Sequence, residues 1–536
     1  MRPALPPLTA LFALLVALLV CTPPAAAAGK TLVYCSEGNP ISLQPALAVD
    51  GTSYDASSRT IYERLVDFKP GTTEVIPALA SSWEISPDGL SYTFHLREGV
   101  PFQSNFGFRP TRPFNADDVL FSFQRMADKD HPYHAVSGGT YTYFASMELD
   151  QLLASIDRID DHTVRFVLKT PSAPFLADLT MDFASIDSAE YAAMLARENR
   201  KQDLDLKPVG TGPFELVAYQ PDAMLRFRAF PDYWRGKAKF DQLVFAVTPD
   251  AAVRWAKLRT GECQIMAYPN PADVAAMRKT AGIKVQTRPG LNIAYLAFNM
   301  ERKPLQDVRV RRALALAINK KAIIAAVYPG SGEVATGALP PTLWAYDASI
   351  PDYGYDPAAA ARLLAAAGFP KGFATELWAM PTSRPYLPDA RRMAVMIQSD
   401  WARIGVRARI VTYEWGEYLK RIGQAEHATA LLGWSGDNGD PDNFLATLLS
   451  CGGVHTQQNA AEFCDQPYQK LINAGQRATD VATRKDLYRK AQQILHTQEP
   501  WVPMAHALVV MPMSTKVHGY VIPATGIHEF YGVELD

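Results

Sequence analysis

Four cysteines behind an export signal constrain this chain more than any other feature. Its first residues carry one positive charge at Arg2, an apolar run from Leu11 to Val20, and the alanines Ala25 to Ala28 ahead of Gly29-Lys30. That order reads as a secretory signal peptide over residues 1–28, cleaved to leave Gly29 first in the mature chain. The apolar run is too short to span a bilayer comfortably. Val20 is larger than the small residue that lipoprotein processing prefers before a cysteine such as Cys21, so a lipid anchor is not expected. Loss of the signal removes Cys21 and leaves Cys35, Cys263, Cys451 and Cys464, an even number in an exported protein, which implies disulfides. Three pairings are possible. The short loop between Cys451 and Cys464 favours that bridge, which leaves Cys35 to meet Cys263. No CxxC or HxxxH accompanies these thiols, so a metal site is not expected.

With 536 residues the chain exceeds one ordinary core and should divide into two or three units. A formal net charge of -2, with acids and bases interspersed, gives no cationic stripe for nucleic acid or an anionic membrane. Small ligands or proteins remain as partners. No segment after the signal is apolar for long enough to cross a bilayer.

The stretch from Gly433 to Phe444, GWSGDNGDPDNF, reads as a ligand loop. Its glycines, acids and proline interrupt regular structure, while Trp434 and Phe444 are costly to leave in water. Glycines let a backbone approach a ligand, tryptophan gives it an apolar wall, and a partly buried Asp supplies charge for a cationic head. The same composition also suits an acidic surface turn. A calcium loop fails on spacing, because Gly439 stands where Asp or Asn is required and Pro441 breaks the alternation.

Elsewhere the pattern is mixed α/β. Thr31 to Tyr34 reads as a strand, and Tyr54 to Phe68 as a helix following the loop Val49-Asp50-Gly51-Thr52. Trp83, the turn Ser86-Pro87-Asp88-Gly89 and alternating Tyr92, Phe94 and Leu96 predict a hairpin. Asn115 predicts a helix cap. Gly210, Gly212 and Pro213 mark a turn before the strand Phe214 to Tyr219. Helices are expected over Val308 to Ala317 with Ala322 to Val327, over Asp356 to Gly368, and after Asp389, whose Met393, Met396, Ile397, Trp401 and Ile404 share a core face. Strands at Leu243 to Thr248, Ala294 to Asn299, Phe373 to Trp378 and Val406 to Tyr413 alternate with them.

Taken by themselves these stretches read as conventional scaffold, and the turn at Gly210 to Pro213 needs no ligand to explain it. Leu79-Ala80 with Trp83, Asp88-Gly89, Tyr92 to Val100, Asn115-Ala116-Asp117-Asp118-Val119, Pro208 to Phe214 and Asp307 to Leu314 resemble the peptide-binding family of periplasmic solute-binding proteins. Thr72 to Pro77, Tyr268 to Asp273, Thr412 to Tyr418 and the loop at 433–444 resemble its dipeptide-binding members. The likeness covers essentially the whole mature chain. It implies an α/β two-lobed Venus-flytrap fold with an extended N-terminal lobe. Lobe I would comprise 29–288 and 506–536, with an inserted subdomain at roughly 80–210, and lobe II would comprise 289–505. Arg288-Pro289-Gly290 and the return near Ala505 would form the two hinge strands.

The function so implied is capture of dipeptides or short peptides in the periplasm, for delivery to the membrane permease of an ABC transporter. A monomer without cofactor or catalysis is expected, and a chemoreceptor is a second possible docking partner. A dipeptide is a zwitterion whose ends lie about 7 Å apart, so one fixed anion and one fixed cation select its length. The resemblance places Asp437 on the ligand's ammonium and Arg384 on its carboxylate. A guanidinium fork suits that carboxylate, and Pro385 stiffens the loop carrying it. Trp434, Trp415 and Tyr386 are candidate walls, with Tyr141 a further one. Ser435 and Gly436 offer backbone hydrogen bonds. Where the dipeptide binders have small hydroxyl residues, this chain has Val49 and Asp50 before Gly51. That departure adds charge near the cleft and keeps haem, 5-aminolevulinate and longer or modified peptides as alternatives on the same scaffold.

A secreted peptidase is the rival from another class. It finds no GxSxG elbow and no HExxH pair, and His506 and His528 lack motif partners.

Overall fold

A computed structural model describes residues 29–381, 384–413, 415–455 and 457–536, leaving aside the side chains of 416 and 455. Residues 1–28, the expected signal peptide, lie outside the described residues, as does Glu414 of the stretch Thr412 to Tyr418. The fold is mixed α/β. A twelve-stranded sheet runs, strand by strand, through Arg407–Val411, Ala374–Trp378, Thr429–Ser435, Asn292–Phe298, Trp501–Ser514, Ile265–Met266, Thr31–Ser36, Gln242–Val247, Met224–Ala229 and Phe214–Gln220. Ile283–Pro289 and Gly332–Val334 also pair with Trp501–Ser514.

That long strand divides its partners along its length. Trp501 to Ala505 pairs with Asn292–Phe298, while Leu508 to Ser514 pairs with Ile283–Pro289. Between the two, Asn292 pins the backbone of Ala507 from both sides: its Oδ1 accepts from the Ala507 N–H at 2.8 Å and its Nδ2 donates to the Ala507 carbonyl at 3.0 Å. Asn292 is buried, and both halves of its amide are thereby satisfied.

Hydrophobic burial separates along the same line. One core spans Leu291 to Ala507, a second gathers Leu32 to Val533, and a third fills the region from Ala46 to Val209. The third sits on an antiparallel four-stranded sheet, Ala80–Ile85, Ser91–Leu96, Thr163–Leu168 and Leu153–Asp160. Its first two strands are the predicted hairpin. Asn115 and Asp118 form a reciprocal capping box on the helix Ala116–Ala127. Asp356 and Asp389 cap Pro357–Ala366 and Ala390–Ala402, and Met393, Ile397, Trp401 and Ile404 are buried in the Leu291–Ala507 core.

Both disulfides form, Cys35–Cys263 and Cys451–Cys464. The first lies in a small apolar cluster with Leu258, Met266 and Met277. No helix among the described residues is long and apolar enough to cross a membrane.

Three local expectations need correction. The predicted helix Tyr54 to Phe68 stops early: the helix is Gly51–Ala56, followed by turns and the strand Val66–Phe68. Side chains compete with the helix there, as the Ser57 and Thr60 hydroxyls donate to the carbonyls of Ser53 and Ala56 at 2.6 Å each. Gly210 and Gly212 do more than turn the chain. A Cβ on Gly210 would stand 2.1 Å from the Ile61 carbonyl oxygen, and the Gly212 N–H donates to that oxygen at 2.8 Å. Finally, the strand expected over Val406 to Tyr413 is Arg407–Val411, and Trp415 opens the helix Trp415–Gly423.

Candidate ligand-binding cleft

The strand Thr429–Ser435 delivers the ligand loop, and its ends differ from the sequence reading. Gly433 to Ser435 complete the strand, Asp442 to Phe444 already begin the helix Asp442–Leu449, and the loop proper is residues 436–441. Gly433 is tolerated in the strand because the Tyr386 ring lies where a side chain would go: a Cβ there would meet Tyr386 Cδ2 at 2.2 Å. Nor is the loop a solvated surface turn, since Asn438, Asp440 and Asn443 are each 3% exposed.

Asn443 organises the segment. Its Oδ1 accepts from Trp434 Nε1 at 2.8 Å and from the Asp437 N–H at 3.1 Å, while its Nδ2 donates to Asp437 Oδ2 at 3.1 Å. Asp437 is thus fixed by a neutral amide. Burial pushes its carboxyl up to about 6, opposed by hydrogen bonds from Asn443 and from Tyr143. No cation among the described residues contributes to its electrostatics.

Two spaces meet at this carboxyl. The smaller, 140 Å³, is lined by Gly51, Tyr54, Phe183, Ser435, Gly436 and Ile527 among others. The larger, 1140 Å³, runs from Trp434 past Asp178 and Asp442 toward Gly452 and Gln458. Val49, Tyr143 and Asp437 border both. Tyr143, on the short helix Thr142–Ser146, approaches from the third core, so the cleft lies between that body and the body built on Leu291–Ala507. Asn438 Nδ2 crosses the gap to Asp178 Oδ1 at 2.6 Å.

The remaining candidates fall in different places. Trp434, Ser435 and Gly436 line the cleft, as do Val49, which is 49% exposed, and Gly51. Asp50 does not turn its carboxylate into either space. It caps the helix Gly51–Ala56, accepting from the Ser53 N–H at 2.9 Å and from the Thr52 and Ser53 hydroxyls. Tyr141 is buried behind the wall, where its hydroxyl accepts from Arg125 Nε at 3.2 Å and donates to the His134 carbonyl at 3.0 Å. The neighbouring wall position belongs to Tyr143. Arg384, Pro385 and Tyr386 sit on a tight turn closed by paired backbone hydrogen bonds between Arg384 and Leu387. The Arg384 guanidinium lies 4.3 Å from the centre of the Trp415 ring, and Trp415 stacks on Tyr418. Trp415 therefore supports the arginine, and neither it nor Arg384, Pro385 or Tyr386 borders either of these two spaces. Arg384 Nε is buried without a hydrogen-bond partner, a donor held in reserve. Tyr386 joins this turn to the ligand strand through Gly433.

Sequence reading missed Tyr143, Asp178, Asn438 and Asn443. Tyr143 carried a signal only for a helical reading, in which residues two apart point to roughly opposite sides, whereas on a strand they would share a face. Asp178 carried none.

Residues 74–456 match the model of the bacterial extracellular solute-binding proteins, family 5 Middle. The chain is 53% identical over 519 residues to the dipeptide-binding protein of Escherichia coli (strain K12), covering 97% of each. It is 49% identical over 507 residues to heme-binding protein A of Haemophilus influenzae, covering 95% of this chain and 92% of that one. Among solved structures, the dipeptide-binding protein of a Pseudoalteromonas species in complex with Met-Leu superposes with a TM-score of 0.79 at 41% identity, covering 95% of this chain and 100% of that one.

Proposed function

Because the chain belongs to the bacterial extracellular solute-binding proteins of family 5, a family of binders and not of enzymes, we propose that it captures dipeptides and short peptides in the periplasm for the permease of an ABC importer. Residues 1–28 serve as the cleaved export signal, and the mature protein acts as a monomer without a cofactor. Its two lobes, 29–288 with 506–536 and 289–505, close on the ligand about the crossings at Gly290 and near Ala505.

One observation carries this reading: Asp437 is a carboxyl held by neutral donors in a cleft wall, with no cation beside it among the described residues. A peptide ammonium supplies the missing counter-charge. Arg384, stacked on Trp415 with an unused Nε, takes the carboxylate. Backbone groups of Ser435 and Gly436 and the wall of Tyr143, Val49 and Trp434 complete the enclosure. Dipeptide selection rests on the two anchors. The 1140 Å³ space exceeds the roughly 300–1,000 Å³ of ordinary small-ligand pockets, which favours peptides with long side chains or a third residue as additional ligands. A haem fits the lining less well, since carboxamides and acids face the larger space. A permease, and a chemoreceptor in organisms that respond to peptides, would dock on the closed lobes.

Incubation with a pool of dipeptides and mass analysis of what is retained tests the proposal. Intact dipeptides are expected, with a smaller scattering radius than the empty protein. Recovery of haem alone, or of free amino acids, would overturn it.

A further inference from the structure

The larger space is chemically one-sided. Glu148, Asp178, Asp437 and Asp442 line it, together with the carboxamides of Gln151, Gln458, Gln469, Gln476, Asn438 and Asn443, and no Lys, Arg or His lines it among the described residues. Cations are present nearby but are spent elsewhere. Arg484 holds Asp440 through two contacts of 2.7 and 2.8 Å, does not line the space, and reaches Asp442 only through its charge. Acid clusters are common on solvated surfaces, but Asp178 is not solvated. It is 4% exposed, forms no ion pair among the described residues, and spends one oxygen on Asn438. A buried carboxyl that borders an open space and has no counter-charge is incomplete as a structural element.

Its position relative to the ligand anchor gives that incompleteness a use. Asn438 follows Asp437 in the chain and touches Asp178, so the acidic space begins within one residue of the group that takes the peptide ammonium. A side chain leaving the first Cα of a peptide anchored at Asp437 points into one of the two spaces. The smaller is bounded by Tyr54, Met181, Phe183 and Ile527 and suits apolar groups. The larger carries four acids and neutral hydrogen-bonding groups among apolar residues, with no cation among the described residues that line it.

We propose, resting on the peptide-binding reading above, that the larger space is a subsite for the cationic side chain of a lysine or arginine at the first position of the bound peptide, with Asp178 and Asp442 as its charge partners and Glu148 at the rim. Burial holds Asp178 well above the usual carboxylate range, with Asp440, Asp442 and Asp437 acting in the same direction and the Asn438 hydrogen bond against them. Burial and the neighbouring Asp440 likewise raise Asp442 to about 6, against the Gln476 hydrogen bond, the Arg484 charge and the Tyr488 hydrogen bond. Tyr92 and Arg484, Tyr488 and Tyr468 around Asp442, and Tyr143 beside Asp437 are the other titratable groups that face this site. A cation entering the space favours the ionised carboxylates, so a basic first residue releases protons that a neutral one does not.

The test is calorimetry with Lys-Ala, Nε-acetyl-Lys-Ala, Ala-Lys and Ala-Ala at pH 7, in two buffers of different ionisation enthalpy. Lys-Ala should bind at least tenfold tighter than its acetylated analogue, with net proton release, and Ala-Lys should show no such gain over Ala-Ala. Size does not explain the difference, since the space accommodates either side chain. In Asp178→Asn the ratio of the Lys-Ala and Nε-acetyl-Lys-Ala affinities should fall below threefold, and in Glu148→Gln it should fall less. Reading the ratio within each protein cancels any change in closure. Equal affinities in the wild type, or an undiminished ratio in Asp178→Asn, overturn the subsite while leaving peptide binding intact. Failure of all four peptides to bind overturns the peptide reading and the subsite with it.

Discussion

Asp440 and Asp437 stand three residues apart on one loop and illustrate opposite uses of a buried acid. Asp440 is met by the Arg484 guanidinium through both oxygens, and Arg484 also donates to the Gly475 carbonyl and to Tyr488. Asp437 receives the Asn443 amide and the Tyr143 hydroxyl but no cation. A completed pair fixes the loop; an uncompleted one awaits a partner from outside the chain. Residue type and loop are shared, and Asp437 is the less buried of the two, so residue type does not separate structure from function here. The missing counter-charge does.

The comparison breaks first at Asp440. Asp440→Asn leaves Arg484 buried beside a neutral amide and should cost about 3–5 kcal/mol of unfolding free energy, read from urea denaturation. A loss under 1 kcal/mol would make the two acids equivalent. Next in size, reduction of Cys451–Cys464, which closes a loop of separation 13, should cost about 3 kcal/mol by loop entropy, and four titratable thiols in the native protein would contradict it. Asp437→Asn should spare stability and instead weaken a free dipeptide by on the order of 30-fold or more, about 2 kcal/mol. An N-acetylated dipeptide, lacking the ammonium, should bind wild type poorly and be little affected by the substitution. Loss of folding in Asp437→Asn would show that its role is structural after all.

The smallest effect concerns pH. Asp437 is raised to about 6 in the empty cleft, and only its ionised form attracts an ammonium, so affinity is lost as pH falls through 6. Between pH 7 and pH 5 the ionised fraction drops about tenfold while the peptide amine stays charged, and affinity should drop with it. The profile should flatten in Asp437→Asn. For folding of the empty protein the sign is opposite: the raised carboxyls at 437 and 442 favour the protonated folded state, and their contribution fades as pH rises from about 4 through 6.

Much of the scaffold was legible because its signals are local. Capping residues such as Asn115, Asp356 and Asp389 act within a few positions of themselves. The ligand loop was legible as composition but not as boundaries: Gly433 behaves as a strand residue only because Tyr386, 47 positions earlier, fills the space beside it. Asp50 looked like a cleft anion because nothing in a sequence says whether a carboxylate faces outward or caps its own helix. Asp178 was invisible, since its significance comes from Asn438, 260 residues away. Tertiary partners of this kind leave no periodicity to read.

The strand Trp501–Ser514 has a consequence in time. It lies inside the sheet, between Asn292–Phe298 and Ile265–Met266, yet it is among the last segments to be synthesised. At about 5–20 residues per second, roughly 25–100 s of translation pass before it exists. Until then Asn292–Phe298 and Ile283–Pro289 each present an edge that nothing made so far can cover. The nascent chain therefore cannot finish either body early, and it stays open and dependent on whatever shields unpaired strands, until nearly its last residues emerge.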